Sequence, residues 1–182
     1  SRTIVFGFLL EDLDRSIFKY REYEKALFVL ENDKFNLTNI PIVQDKKVKK
    51  VYDFFLFRFL YNFYYLIKNE FDPRLSECKI DYKKKLFKYF IKDIKNTAKK
   101  FNQKIIIITF NLKEDLKKEP SWRYNFIKSH LLKENITHVD SFEVMKKKSI
   151  EYDEKIENYF GLDAHNNKKS FEYIFEELMK KL

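Results

Sequence analysis

Asp163 and His165 are the residues of this chain whose types and spacing most directly suggest chemistry. They stand in the run Tyr159-Phe160-Gly161-Leu162-Asp163-Ala164-His165-Asn166-Asn167, just ahead of an amphipathic pattern. A carboxylate beside a histidine fixes which ring nitrogen carries the proton, so that the other can take one from a hydroxyl. That supplies the base and the orienting acid of a hydrolase triad and leaves the nucleophile to be found. No G-x-S-x-G elbow or G-D-S run occurs in the 182 residues, so the chain is expected to be only part of its enzyme. By spacing alone D-x-H is a weak signal, and Asn166 and Asn167 could equally serve as caps of the helix that follows.

Other candidates carry less. Ser16 follows an acidic loop but lacks the strained strand-to-helix turn that exposes a nucleophilic serine. Cys78 is the lone cysteine; it can form no internal disulfide and reads as a small buried or loop residue. His138 and Asp140 point the same way along a strand, and with Asp163 and His165 they could gather metal-type ligands at one sheet edge. No H-E-x-x-H or cysteine pair supports that, so no metal is expected. His130 reads as a solvent-facing helix residue.

With 45% hydrophobic and 18% aromatic residues the chain can bury a core and is not wholly disordered. It holds only 2 glycines and 3 prolines, and no phosphate-cradling glycine loop, so no nucleotide or other cofactor is expected. The formal charge of +9 comes from lysines interleaved with acids, while arginine is sparse. That pattern describes solvated faces and weighs against nucleic acid, leaving an anionic or membrane-surface partner as the rival from another functional class. No signal-peptide pattern opens the chain, which leaves cytoplasm and membrane association both open.

The elements that must position the Asp–His pair alternate between strand and helix. Residues 3–8 read as a buried strand, followed by an acidic loop and a short helix through Tyr20. Residues 26–40 read as a small β-hairpin closed by Pro41, and residues 48–102 as a long helical insertion with helices over 51–69 and 82–101. The continuous run Ile105-Ile106-Ile107-Ile108 suits a strand buried on both faces of a parallel sheet. A helix over 121–133, with Pro120 suited to its first turn, and a strand over 136–140 follow. Ser141 reads as the cap of a helix over 142–148. The last helix starts near Asn167 and carries Phe171, Ile174, Phe175, Leu178 and Met179 on one stripe. The whole reads as a single α/β domain over 1–182, a mostly parallel sheet covered on both sides.

Residues 51–67 are aromatic nearly all round, broken by Arg58 and Asn62. A core helix is the plainer reading; an interfacial helix or lid, flanked by Lys46, Lys47, Lys49 and Lys50, is the functional one.

Both ends of the chain resemble the SGNH, or GDSL-like, hydrolases. Asp163 to Phe171 with its helix is similar to that family's closing block, in which an Asp and a His precede the final helix. Ile4 to Arg15 is similar to its third block, Gly7, Asp12 and Arg15 matching a G-x-x-x-N-D-x-x-R version. The hairpin ending Leu37-Thr38-Asn39-Ile40-Pro41-Ile42 resembles an insertion of some members. The resemblance implies a three-layer, flavodoxin-like, mostly parallel sheet, incomplete at the N-terminus, and a serine esterase acting on an ester such as a carbohydrate O-acetyl group. His165 would be the general base and Asp163 its orienting acid, with Gly7, Glu11 and Asp12 at the oxyanion or active edge. Glu11 stands where the family has an oxyanion-binding Asn, and an ionised carboxylate cannot donate a hydrogen bond. Ser170 stands where the family usually has Gly. The serine-bearing first block and the second block would precede Ser1. Strand 3–8 would then expose an edge that pairs with that missing segment or with a second copy.

Overall fold

A computed structural model describes residues 2–16, 26–31, 34–38, 40, 59–60, 63–64, 80–113 and 121–182. In chain order the elements are β1 (Arg2–Leu9), α1 (Asp12–Arg15), β2 (Leu27–Glu31), β3 (Lys34–Thr38), α2 (Ile80–Lys100), β4 (Gln103–Phe110), α3 (Trp122–Lys133), β5 (Thr137–Asp140), α4 (Ser141–Glu151), a 3-10 turn (Ile156–Tyr159) and α5 (Lys168–Met179). The chain forms two compact units, residues 1–10 with 90–182 and residues 11–89.

The first unit is a three-layer α/β arrangement on a parallel sheet of order β1-β4-β5. β4 is central, and its run of isoleucines is sealed on both faces: Ile106 is 0% and Ile107 1% exposed. Ile106 and Ile108 join Val139 of β5, Met145 of α4, Tyr159, Phe160, and Ile174 and Leu178 of α5 in one core. Burying each such aliphatic side chain contributes about 2 kcal/mol. The opposite face carries α3, whose Tyr124 reaches the end of β5.

Glycine scarcity is met by other residues at the helix ends. Asn102, Asn135 and Asp153 hold the left-handed position just beyond α2, α3 and α4, with φ of 51°, 53° and 52°. Asn and Asp tolerate that conformation better than other side chains. Behind α3, the amides of Asn135 and Ile136 turn back onto Leu132 O and Leu131 O. Behind α4, Asp153 and Glu154 do the same onto Ile150 O and Ser149 O.

In the second unit β2 and β3 pair antiparallel, as expected for 26–40. The Tyr82 hydroxyl of α2 donates to Phe28 O at 3.1 Å and accepts from Leu30 N at 3.3 Å, and the Phe35 ring packs on Tyr82 and Tyr89.

Some expectations are corrected. Asp140, not Ser141, caps α4: its carboxylate accepts from Phe142 N and Glu143 N, which Ser141, already helical, cannot reach. Ser121 caps α3 rather than opening it, and α4 continues to Glu151. Only two of the five positions of the α5 stripe are buried: Ile174 and Leu178 are inside, whereas Phe171, Phe175 and Met179 are 50%, 59% and 52% exposed. His130 is half-buried and stacked on Phe126. Of the aromatic stretch, Phe59, Leu60, Phe63 and Tyr64 are helical and exposed, Phe59 stacking on Phe63. The rest of that stretch, Lys46 to Lys50, Cys78, Tyr20, Pro41 and Pro120 lie outside the described residues. Among the described residues no helix is long and apolar enough to cross a membrane.

Candidate active site

The Asp163–His165 loop is held at both ends. Tyr159 and Phe160 root its entrance in the core. Asn167 fixes its exit, accepting from Ser170 N at 3.1 Å as the cap of α5 and donating to Asn158 O at 2.7 Å. Between them, Gly161 N donates to His165 O at 2.8 Å and Asn167 N to Tyr159 O at 3.0 Å. Lys113, just past the carboxyl end of β4, donates its backbone N–H to Ala164 O at 3.0 Å. That bond ties the loop to the carboxyl end of the central strand, the end at which open α/β sheets place their ligands.

Within the loop His165 Nδ1 lies 2.9 Å from Asp163 O and 3.4 Å from Asp163 Oδ2. A carbonyl and a carboxylate can only accept, so in the neutral ring Nδ1 carries the proton and Nε2 keeps its lone pair. This is the tautomer a general base requires. Asp163 Oδ1 also accepts from His165 N at 3.3 Å, so one carboxylate holds both the backbone and the ring. The two side chains are 52% and 75% exposed, so their pairing adds little to stability.

Gly161 and Ala164 are part of this geometry and were not singled out by sequence pattern. A Cβ on Gly161 would sit 2.9 Å from Asp163 Oδ1, so glycine is what lets the carboxylate fold back. Ala164 has φ 64°, the one left-handed position among the described residues filled by neither Asn nor Asp. Strain in the residue between a candidate acid and base fits a loop shaped for something other than stability. The scarcity of glycine was a usable signal for Gly161; Ala164 carries none. Ser170 is fully buried and donates its hydroxyl to Asn167 O at 2.8 Å.

A second acidic group ends β5. Asp140 Oδ1 caps α4, and Oδ2 accepts from the Tyr124 hydroxyl at 2.8 Å. Lys128 Nζ completes the cluster at 3.1 Å from Tyr124 Oη, 3.1 Å from Glu143 Oε1 and 3.6 Å from Asp140 Oδ2. Burial, then the Asp140 carboxylate, push the Tyr124 hydroxyl far above the ordinary tyrosine range. The Lys128 ammonium holds the Glu143 carboxyl below its ordinary value against the opposing effect of burial. Next to this cluster Asn111 is 3% exposed, donating its backbone N–H to Ser141 Oγ at 3.3 Å, with side-chain Oδ1 unpartnered.

The remaining expected residues are dispersed. Gly7 lies within β1 under the Phe110 ring, where a Cβ would come within 3.2 Å of Cε2. Glu11 and Asp12 follow β1 in the second unit; Asp12 O accepts from Ser16 N at 2.9 Å and Ser16 Oγ at 2.6 Å, so that hydroxyl is engaged. His138, half-buried, has Nδ1 3.4 Å from Ile136 O and borders a cleft of about 560 Å³ along β5. Among the described residues no group of three or more His, Cys, Asp or Glu side chains could hold a metal ion. No family model, curated protein or solved structure matches the chain.

Proposed function

We propose that this chain is the base-bearing part of an SGNH-type serine esterase with a flavodoxin-like sheet. The observation that carries the reading is the tautomer imposed on His165: two acceptors of Asp163 face Nδ1, leaving Nε2 free to take a proton. In the reaction, a serine hydroxyl from outside residues 1–182 attacks the ester carbonyl while its proton passes to Nε2. The proton then goes to the departing alkoxide, leaving an acyl-serine, and water activated by the same nitrogen releases the acid. Asp163 holds the ring and stabilises the imidazolium. An O-acetyl group on a carbohydrate is the substrate class.

The test is hydrolysis of 4-nitrophenyl acetate and of O-acetylated oligosaccharides by the intact protein, beside His165→Ala. Loss of about a thousandfold or more in rate with an unchanged melting temperature is expected. Equal hydrolysis by both proteins would remove His165 from the mechanism.

The exposed Phe59, Leu60, Phe63 and Tyr64 favour a second reading, a non-catalytic domain whose basic and aromatic residues 46–67 meet an anionic membrane surface. Co-sedimentation with phosphatidylserine vesicles that survives His165→Ala and fails after neutralising Lys46, Lys47, Lys49 and Lys50 would select it.

A further inference from the structure

Asn111, the first residue past β4, lies where the carboxyl ends of β4 and β5 meet. Its backbone N–H donates to Oγ of Ser141, the first residue of α4. Its side chain has no such partner: Oδ1 is sealed from solvent and accepts nothing. Nδ2 makes no bond either but is not sealed, so the amide opens to solvent at one end. Turning the amide end for end only changes which atom is stranded. Ser141 is 1% exposed, and its hydroxyl accepts from Asn111 N while donating to no atom among the described residues. A buried acceptor and a buried donor are thus left unfilled side by side, whereas buried polar groups ordinarily find partners. The place is also close to the candidate base. Lys113, at most about 7 Å further along the chain, makes the tie to Ala164 O. Beyond that tie Asn166, next to His165, has Nδ2 buried without a partner.

We propose that Asn111 and Ser141 form a hydroxyl-binding site that seats the sugar of the ester substrate. The group that fills it gives a hydrogen bond to Asn111 Oδ1 and accepts one from Ser141 Oγ or Asn111 Nδ2. A hydroxyl does both, whereas a carboxylate has no hydrogen to give and an ammonium ion no lone pair. Burial makes the site selective. A ligand without the hydroxyl leaves the amide and the serine stranded, and such sites reject it strongly. The carboxyl ends of the strands are also where open α/β sheets bind ligands. A sugar held there by one hydroxyl lies beside the loop whose His165 Nε2 would protonate its departing oxygen. The hydroxyl site stands on Asn111 and Ser141 alone; that the sugar is the alcohol part of an ester rests on the esterase reading.

The experiment is a titration of the intact protein with glycerol, a small polyol, followed in proton–nitrogen spectra at the Asn111 side-chain amide, assigned through its own backbone. That signal is expected to shift saturably with glycerol and not with dimethyl sulfoxide, which accepts but cannot donate, while exposed amides drift only in proportion to either additive. No saturable shift, or an equal one with dimethyl sulfoxide, overturns the proposal. Asn111→Leu deletes an amide that nothing in the protein bonds, so its urea midpoint should hold or rise. A marked fall would mean that a protein-bound water holds the amide, and overturns the proposal too. The same variant should lower kcat/KM for O-acetylated oligosaccharides about tenfold or more relative to 4-nitrophenyl acetate, whose leaving group carries no sugar hydroxyl. A glycerol shift in a protein that hydrolyses no ester upholds the hydroxyl site and removes the esterase. Hydrolysis that needs His165, with no glycerol shift and the same substrate preference in Asn111→Leu, upholds the esterase and removes the hydroxyl site.

Discussion

Two aspartates, each beside a strand end, are treated in opposite ways. Asp140 is 8% exposed and every direction around its carboxylate is used: two backbone amides, the Tyr124 hydroxyl and the Lys128 ammonium surround it. Asp163 is three-quarters exposed, and its main partners are the amide and ring of one neighbour, His165. A saturated buried carboxylate has no capacity left for a substrate, and its neighbours depend on it. An exposed one that orients a histidine contributes little to stability, so its geometry needs another reason. The contrast separates a saturated acid from one with capacity left over, and it is the second kind that the esterase proposal needs.

The largest expected effect is on rate. Asp163→Asn keeps the shape of the side chain but can donate a hydrogen bond, and so can invert the tautomer of His165. If the proposed esterase reading holds, ester hydrolysis by the intact protein should fall about a thousandfold to ten-thousandfold, while the urea midpoint stays put. A comparable loss of stability would place Asp163 in the same class as Asp140 and erase the distinction.

Asp140→Ala should do the reverse. It removes the cap of α4 and the nearer acceptor of the Tyr124 hydroxyl, leaving Glu143 as the remaining carboxylate partner of Tyr124 and Lys128, and should cost about 2 kcal/mol in chemical denaturation. The rate of whatever remains folded should be little changed. If Asp140→Ala abolishes turnover in folded protein, the β5 cluster belongs to the site.

The third effect is seen in pH. Because the folded Tyr124 hydroxyl titrates far above the unfolded one, its contribution is fully present below about pH 10. Above that, the unfolded state releases a proton that the native state retains, and stability falls by about 1.4 kcal/mol per pH unit. Tyr124→Phe lacks this dependence, so the gap between the two proteins in urea midpoint should narrow as pH rises from 9 to 11. A constant gap would mean that the hydroxyl is neither sealed by burial nor held against the Asp140 carboxylate.

How far these features were legible in the sequence follows from how local they are. The β-branched run of β4, the hairpin, and the Asp–His pair with Asn167 at the start of α5 are written in adjacent residues, and each was read from them. The Tyr124–Lys128–Asp140–Glu143 cluster draws on α3, β5 and α4, and only packing of α3 across the end of β5 brings them together. Likewise five apolar positions marked a wide stripe on α5, but which half faces the core depends on where β4 and β5 lie beneath it. The cap of α4 was misplaced by a single residue because Asp140 and Ser141 are both good caps, and the length of β5 decides between them.

The smallest effect probes the loop itself. Ala164 is held at φ 64° by two bonds at its own backbone, its N–H to Gly161 O at 3.2 Å and its O from Lys113 N at 3.0 Å. An L side chain there costs about 1 kcal/mol relative to glycine, less the extra freedom glycine has when unfolded. Ala164→Gly should therefore stabilise the protein slightly, by up to about 0.5 kcal/mol, read as a small rise in urea midpoint. If the strain serves to hold His165 against Asp163, relaxing it should also lower the rate a fewfold and shift no other property. Higher stability with an undiminished rate would show that the left-handed turn is only the shortest path from Gly161 to the cap at Asn167.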